Sequence, residues 1–382
     1  MKETKLREKT FRRASGSKEQ QPDTRGQAMP RWRVPFCLVL ACWVGTAWAQ
    51  KPAPTAAEAA SAPTKVAQVR LSVEVTDKAG HPIPGLQETD FTVLDDRKPA
   101  PLRFFYAHES GVADPGAESM ILLIDEVNED LSAVTFERDQ IEKFLRSNQG
   151  RLPAPLSIVM LSETELTPIA EASADGNLLA EEFLHWEGHA RPVPPTADWG
   201  AEERWQESQQ ALDKILRYEA RRPGRKLLLW IGPGWSLFTA PDVPIDEGEQ
   251  KRWMDLIVNA STRLHEAQVT LYSVDPLGVG TGLEDSRWQA LLKPVRKPDQ
   301  AYLGDLALQV LATQSGGQVV DSSNDLASEL MQCLNDASAW YTLVIAAQSS
   351  EQPNTWHDVQ VKVDRPGAVA RTIDGYYAHP EP

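Results

Sequence analysis

Three cysteines in 382 residues leave this chain little thiol chemistry. Cys37 and Cys42 lie in an apolar leader, so Cys333 alone stays with the folded part. A lone cysteine excludes an intrachain disulfide and a thiolate-built zinc cluster. It sits in the helical pattern of residues 326–334 and is expected to be a small core residue. Positive charge is also short, with 39 Lys and Arg against 54 Asp and Glu and a formal charge of −15. Such a surface repels nucleic acid and anionic membranes, and neither is an expected partner. The apolar stretch at residues 34–44 falls short of the ~20 residues that a membrane span needs. Phosphate-binding patterns are missing too. Gly232-Pro233-Gly234 and Gly278-Val279-Gly280-Thr281-Gly282 lack the spacing of a nucleotide loop and read as turns. No serine stands in a Gly-x-Ser-x-Gly elbow. His185 and His189 are spaced for one helix face, but Glu187 between them is at the wrong offset for a zinc-protease motif, so they read as loop histidines.

What is present begins with a leader. Residues 1–28 are polar and basic without apolar periodicity, and are expected to be disordered. Met29 opens Pro30-Arg31-Trp32-Arg33, the apolar stretch, and Ala47-Trp48-Ala49 before Gln50. That is the layout of a secretory signal over residues 29–49, with Met29 the expected true start and Gln50 the expected mature end. The destination would be secreted or periplasmic; an uncleaved anchor over residues 32–48 is the alternative. Without residues 1–49, 29 basic and 50 acidic side chains remain, a formal charge of −21. Residues 50–64 form a Pro/Ala-rich tether.

Period-2 alternation puts Val69, Leu71, Val73 and Val75 on one face of a half-buried strand at residues 66–76. Further strands follow at residues 90–94 and 102–106, with Asp95-Asp96 as the turn between them. This N-terminal β-unit, residues 65–112, has too few strands to close a sandwich alone. Residues 113–335 alternate apolar strands (120–124, 156–161, 226–231, 269–274) with helical patterns (136–145, 177–186, 199–219, 253–267, 303–315). That order implies a parallel sheet with helices on both faces. Residues 336–382 return to β, with Val359, Val361 and Val363 on one face. The economical arrangement is an α/β domain inserted in an Ig-like β-sandwich that the terminal strands build together. Two unrelated β appendages are the alternative.

Several strings, in order, carry a resemblance. They are Asp77-Lys78-Ala79-Gly80-His81-Pro82-Ile83-Pro84-Gly85-Leu86 before Asp90-Phe91; Ile124-Asp125 with Asn128; and Pro223-Gly224-Arg225-Lys226 before Leu227-Leu228-Leu229-Trp230-Ile231. Leu271-Tyr272-Ser273-Val274-Asp275, Ser315-Gly316-Gly317, Tyr341-Thr342-Leu343 and Gly375-Tyr376-Tyr377 complete the set. Over nearly the whole chain beyond the leader, this resembles bacterial secreted proteins related to the von Willebrand factor type A (VWFA) domain. The resemblance implies a doubly wound α/β fold with a metal-ion-dependent adhesion site at the carboxyl edge of its sheet.

The family's site takes Asp-x-Ser-x-Ser after the first strand, a threonine from a later loop, and an aspartate after the fourth strand. Here Asp125 keeps the first place, but Val127 and Glu129 stand in the serine places. Gly232 or Pro233 stands where the late aspartate belongs, and Ser208 lies near the threonine region. The site is therefore expected to be degenerate, with no cofactor. Asp125 is the one metal ligand retained, and Asn128 and Glu129 are the residues a rearranged Mg²⁺ site would add. Otherwise Asp125 and Asn128 cap the following turn, and losing Asp125 would cost about 0.5–2 kcal/mol. The expected binding residues are Asp125, Asn128, Glu129, Gly234, Trp235 and Asp275, in loops on a rigid scaffold. Trp186, Trp199, Trp205, Trp235 and Trp253 are either a shared exposed patch or core anchors. The function expected is an extracytoplasmic module that binds a protein or peptide. The alternative is a metal-dependent hydrolase using Asp125, Glu126, Glu129 and a histidine.

Overall fold

Strands that read as unbroken apolar runs do so because both of their faces are covered. Side chains alternate across a strand, and β5 (Ser119–Asp125) shows the consequence. Ile121 and Leu123 enter one core, with Trp230 and residues of the later helices, while Met120, Leu122 and Ile124 enter a second core on the opposite face. The computed structural model describes residues 67–109, 119–129, 131–162, 165–186, 200–235, 246–276, 287–321, 325–348 and 352–378. The leader and tether, Asp130, His189, Trp199 and residues 278–282 lie outside them. All described residues belong to one compact unit, Thr64–Pro382.

The chain is mixed α/β. Its elements are β1 (Gln68–Thr76), β2 (Phe91–Asp95), β3 (Lys98–Pro99), β4 (Leu102–Glu109), β5, α1 (Leu131–Arg146), β6 (Arg151–Leu161) and β7 (Leu166–Asp175). Then come α2 (Gly176–Leu184), α3 (Ala201–Glu219), β8 (Lys226–Ile231), α4 (Glu247–Glu266), β9 (Val269–Val274), α5 (Leu308–Gln314), β10 (Val319–Val320) and α6 (Leu326–Asn335). The last strands are β11 (Ala339–Ala346), β12 (Thr355–Val363), β13 (Val369–Arg371) and β14 (Gly375–Ala378). The central sheet has the order β10-β9-β8-β5-β6-β7. It is parallel except for β7, which runs antiparallel to β6 with several register shifts. The fully parallel sheet expected from sequence is thus a mixed one. Leu166–Asp175 escapes periodicity because an edge strand carrying Pro168 has only one residue, Ala170, in the core.

Helix limits differ where the first turn is polar. The helix expected from residue 253 begins at Glu247, because Asp246 Oδ1 accepts the Glu249 amide at 2.9 Å and caps a turn that has no apolar residue. The helix expected over residues 303–315 is two pieces, a 3₁₀ turn at Leu303–Leu306 and α5, separated at Ala307 with ψ 148°. Beside it, Gly317 lets the chain press on β9. A Cβ there would lie 1.8 Å from the Leu271 carbonyl oxygen.

Two further sheets have the orders β13-β1-β11-β4 and β14-β12-β2-β3, each mixing strands from the two ends of the described chain. Leu71, Val73, Phe91, Val93, Leu343 and Val359 meet in one core between them. Tyr341 anchors the connection after β1, since its hydroxyl donates to the Ile83 carbonyl at 2.6 Å and accepts the Leu86 amide at 3.1 Å.

A charged network joins these sheets to the central one. Glu74 of β1 pairs with Arg225 and Arg371, and Arg371 also pairs with Asp336. The Tyr272 hydroxyl reaches Asp336 at 2.7 Å and Glu74 at 3.2 Å. Arg225 lies over the Trp340 ring, 5.1 Å from its centroid.

Two other buried groups set opposing pH dependences. Burial pushes the Asp305 carboxyl up to about 7, against the lowering effect of the Tyr302 amide. Burial, then Arg70, pushes His265 down to about 4. A raised pKa gives stability that is complete below the unfolded value of 3.8 and lost as pH climbs toward 7. A lowered one in histidine gives stability complete above 6.5 and lost as pH falls toward 4. The two oppose each other over the same window. His265 is only half-buried by area, so water screens part of its effect. Asp305→Asn keeps an acceptor for Tyr302 and removes the titration. We expect this variant to exceed the parent by roughly 4 kcal/mol above pH 7, from a shift from 3.8 to about 7 at about 1.4 kcal/mol per pH unit, and to lose that advantage near pH 4. Urea titrations across this range check it; parallel curves for parent and variant would contradict it.

Candidate functional site

The carboxyl ends of β5, β8 and β9 stand at one level, because Ile124 pairs with Ile231 and Ile231 with Val274. The next residues, Asp125, Gly232 and Asp275, therefore line one edge, where open α/β sheets hold ligands.

Asp125 is 1 % exposed, and its carboxylate is fully engaged. Oδ1 accepts the Val127 amide at 3.0 Å and the Asn128 amide at 3.1 Å. Oδ2 accepts the Asn128 side-chain amide and the Trp230 indole N–H, each at 2.8 Å. Asn128 Nδ2 also donates to Ser208 Oγ at 2.9 Å, and that hydroxyl donates to the Arg204 carbonyl at 2.9 Å. Burial raises the Asp125 carboxyl above its usual range, while Asn128 and Trp230, then the backbone amides, hold it down.

These contacts decide whether a magnesium ion fits. A carboxylate has about four acceptor positions, and protein donors take four here. Val127, in the first serine place, is 4 % exposed and packs in the core with Trp230 and Trp235. Gly232 brings no side-chain oxygen. A Cβ on it would sit 3.0 Å from Asp125 Cβ and 3.6 Å from Oδ2, so a side chain there would press on the carboxylate. Mg²⁺ requires near-octahedral oxygen ligation, and this set does not fit it.

The remaining expected residues are placed differently. Glu129 is buried at 2 % exposure and Glu126 at 6 %. Gly234 has φ +91°, and a Cβ there would meet the Gln309 side-chain amide at 2.2 Å, so only glycine suits the turn. Trp235 is 3 % exposed and stands edge-on to Trp230 with centroids 5.1 Å apart. It is a core anchor, as is Trp253, whereas Trp186 and Trp205 are half-buried. Asp275 is half-buried, and its amide donates to the Val320 carbonyl at 2.9 Å. His185 lies just beyond α2, away from these carboxylates in sequence and not grouped with them.

Sequence reasoning passed over Trp230 as a donor and Glu137 as a neighbour. Glu137, on α1, is 3 % exposed. Burial, then the charges of Glu129, Asp125 and Glu126, push its carboxyl well above the usual range. The signal was available: Glu137 stands four residues before Ile141, on the apolar face of the helix.

No family model matches the chain, and no curated protein matches it. Three solved structures illustrate what it is similar to. The human COPII-coat protein Sec24c is 10 % identical over 72 % of this chain and 46 % of its own, with a TM-score of 0.30. The chain thus spans about half the length of that structure. The SpRpn10 VWA domain is 12 % identical over 56 % of this chain and 94 % of its own, with a TM-score of 0.25. The pilus adhesin SpaC from Lactobacillus rhamnosus GG is 7 % identical over 78 % and 49 %, with a TM-score of 0.31. Likenesses this distant carry no argument about what the chain does.

Proposed function

We propose that this chain is an extracytoplasmic binding module of VWFA-like build, which takes a protein or peptide at the carboxyl edge of its central sheet without a metal ion there. In this reading residues 113–335 are an α/β domain inserted in an Ig-like sandwich built from residues 65–112 and 336–382, and the leader directs export. The observation that carries it is the commitment of Asp125 to four protein donors. An edge whose central carboxylate is a structural tie is a rigid platform rather than an ion-bridged one. The hydrolase alternative needs Asp125, Glu126 and Glu129 to converge with a histidine. Among the described residues, the group of ligand-type atoms lying within 4.8 Å of one another is elsewhere, at Asp95, Asp96 and His357.

The test is capture of a binding partner from native envelope extract on immobilised protein, run in EDTA and in Mg²⁺, with Asp275→Arg in parallel. One species retained equally in both buffers and lost with Asp275→Arg is expected. Retention that needs Mg²⁺, or hydrolase turnover abolished by Asp125→Asn, would overturn the reading.

A further inference from the structure

A second cluster lies on a different sheet, β14-β12-β2-β3. Asp95 ends β2, Asp96 begins the two-residue turn into β3, and His357 faces them from β12, which pairs with β2. Asp95 is 2 % exposed and His357 6 %. The Asp96 side chain is 36 % exposed and opens the cluster to solvent. His357 Nδ1 lies 2.9 Å from Asp96 Oδ2 and 3.5 Å from Asp95 Oδ1. Both approaches are ion-pair contacts rather than hydrogen bonds, and Asp95 Oδ1, His357 Nδ1 and His357 Nε2 are buried without a hydrogen-bond partner among the described residues. Each bare polar atom costs about 1–3 kcal/mol. Asp95 Oδ1 and His357 Nδ1 face the same spot and call for an occupant between them, whereas Nε2 is on the other edge of the ring and is not met by it.

Both carboxylates are held from behind. The Tyr376 hydroxyl donates to Asp95 Oδ2 at 2.8 Å, and the Asp358 amide donates to Asp96 Oδ1 at 3.0 Å. Each therefore has one anchored oxygen and one turned toward the imidazole. The His357 ring lies along the Tyr376 ring, with centroids 5.2 Å apart and planes 13° apart. Anchoring of ligands by a second layer of donors is how metal sites fix their geometry.

We propose that Asp95, Asp96 and His357 hold one divalent transition-metal ion, zinc by preference, through Asp95 Oδ1, Asp96 Oδ2 and His357 Nδ1, with water completing the shell beside Asp96. Bonds of about 2.0–2.1 Å to a tetrahedral zinc set neighbouring ligand atoms ~3.3 Å apart. The distances of 2.9 and 3.5 Å bracket that spacing. An imidazole nitrogen among the donors favours zinc over Mg²⁺ or Ca²⁺. The ion would clamp the β2–β3 turn onto β12, and the site is independent of the carboxyl edge and of what binds there.

Calorimetric titration of the EDTA-stripped chain with ZnCl₂, MgCl₂ and CaCl₂ tests it, alongside Co²⁺ absorption spectra. One strong Zn²⁺ site per chain, no Mg²⁺ or Ca²⁺ heat, and a tetrahedral Co²⁺ band are expected. Because His357→Gln risks unfolding the sheet, the deciding variants are Asp96→Asn, at the half-exposed turn, and Tyr376→Phe. Asp96→Asn should weaken Zn²⁺ at least tenfold, and Tyr376→Phe roughly 10–100-fold, with the metal-free fold retained by circular dichroism. Absence of Zn²⁺ binding, or binding unchanged in Asp96→Asn, would overturn the proposal and leave the trio an ion pair.

Discussion

Glu74→Ala is expected to lower the stability of the fold by about 3–5 kcal/mol, the loss typical of breaking a buried ion pair from one side. Glu74 is 2 % exposed and faces Arg225, Arg371 and the Tyr272 hydroxyl. Two acids and two arginines balance in this network, and burial already works against the cations. It pushes Arg225 down from its ordinary range and Arg371 down to about 9. With Glu74 gone, two buried arginines are left to share one carboxylate, that of Asp336. The same residues tie β1 and β13 to β9 and to the segment after α6, so the loss loosens the junction between sheets. Urea denaturation measures it, and a double-mutant cycle isolates the pair: Arg225→Met should cost less in the Glu74→Ala background than in the parent, with a coupling of about 0.5–3 kcal/mol. A loss below 1 kcal/mol would mean that the network behaves as a surface one.

Asp125→Ala should cost a similar amount, about 3–5 kcal/mol from several orphaned donors at roughly 1–3 kcal/mol each. That exceeds the 0.5–2 kcal/mol which a simple cap would lose. The difference arises because the carboxylate serves the Trp230 indole and the Asn128 side chain as well as two turn amides. Asparagine should rescue little, since its NH₂ would confront donors on one side. Trp230→Phe removes a single donor and should cost less, about 1–2 kcal/mol. A cost for Asp125→Ala under 1 kcal/mol would show that water replaces the carboxylate readily.

Much of the fold was legible because burial on two faces writes continuous apolar runs, and burial on one face writes alternation. β5, β8 and β9 show the first, and β1 with Val69, Leu71, Val73 and Val75 shows the second. The same alternation misled at Glu74, which reads as a solvent-facing residue but is covered by the central sheet. β7 and the first turn of α4 left no apolar signature to find. At the edge, the adjacency of Asp125 and Asn128 was visible as a turn. Trp230 and Ser208 were not visible as partners, because they are brought there by pairing across 105 and 80 residues. Asp95 and Asp96 read as a turn. His357 shares strand parity with Val359, Val361 and Val363, so a histidine on an apolar face was the one local hint of that cluster.

The account rests on Asp125 being a structural tie, and a melting curve in EDTA and in millimolar Mg²⁺ tests that most directly. The parent should melt at the same temperature in both, and Asp125→Asn should melt lower by the same interval in each. A Mg²⁺-dependent rise in the parent that Asp125→Asn abolishes would make the edge a working metal centre and contradict the account.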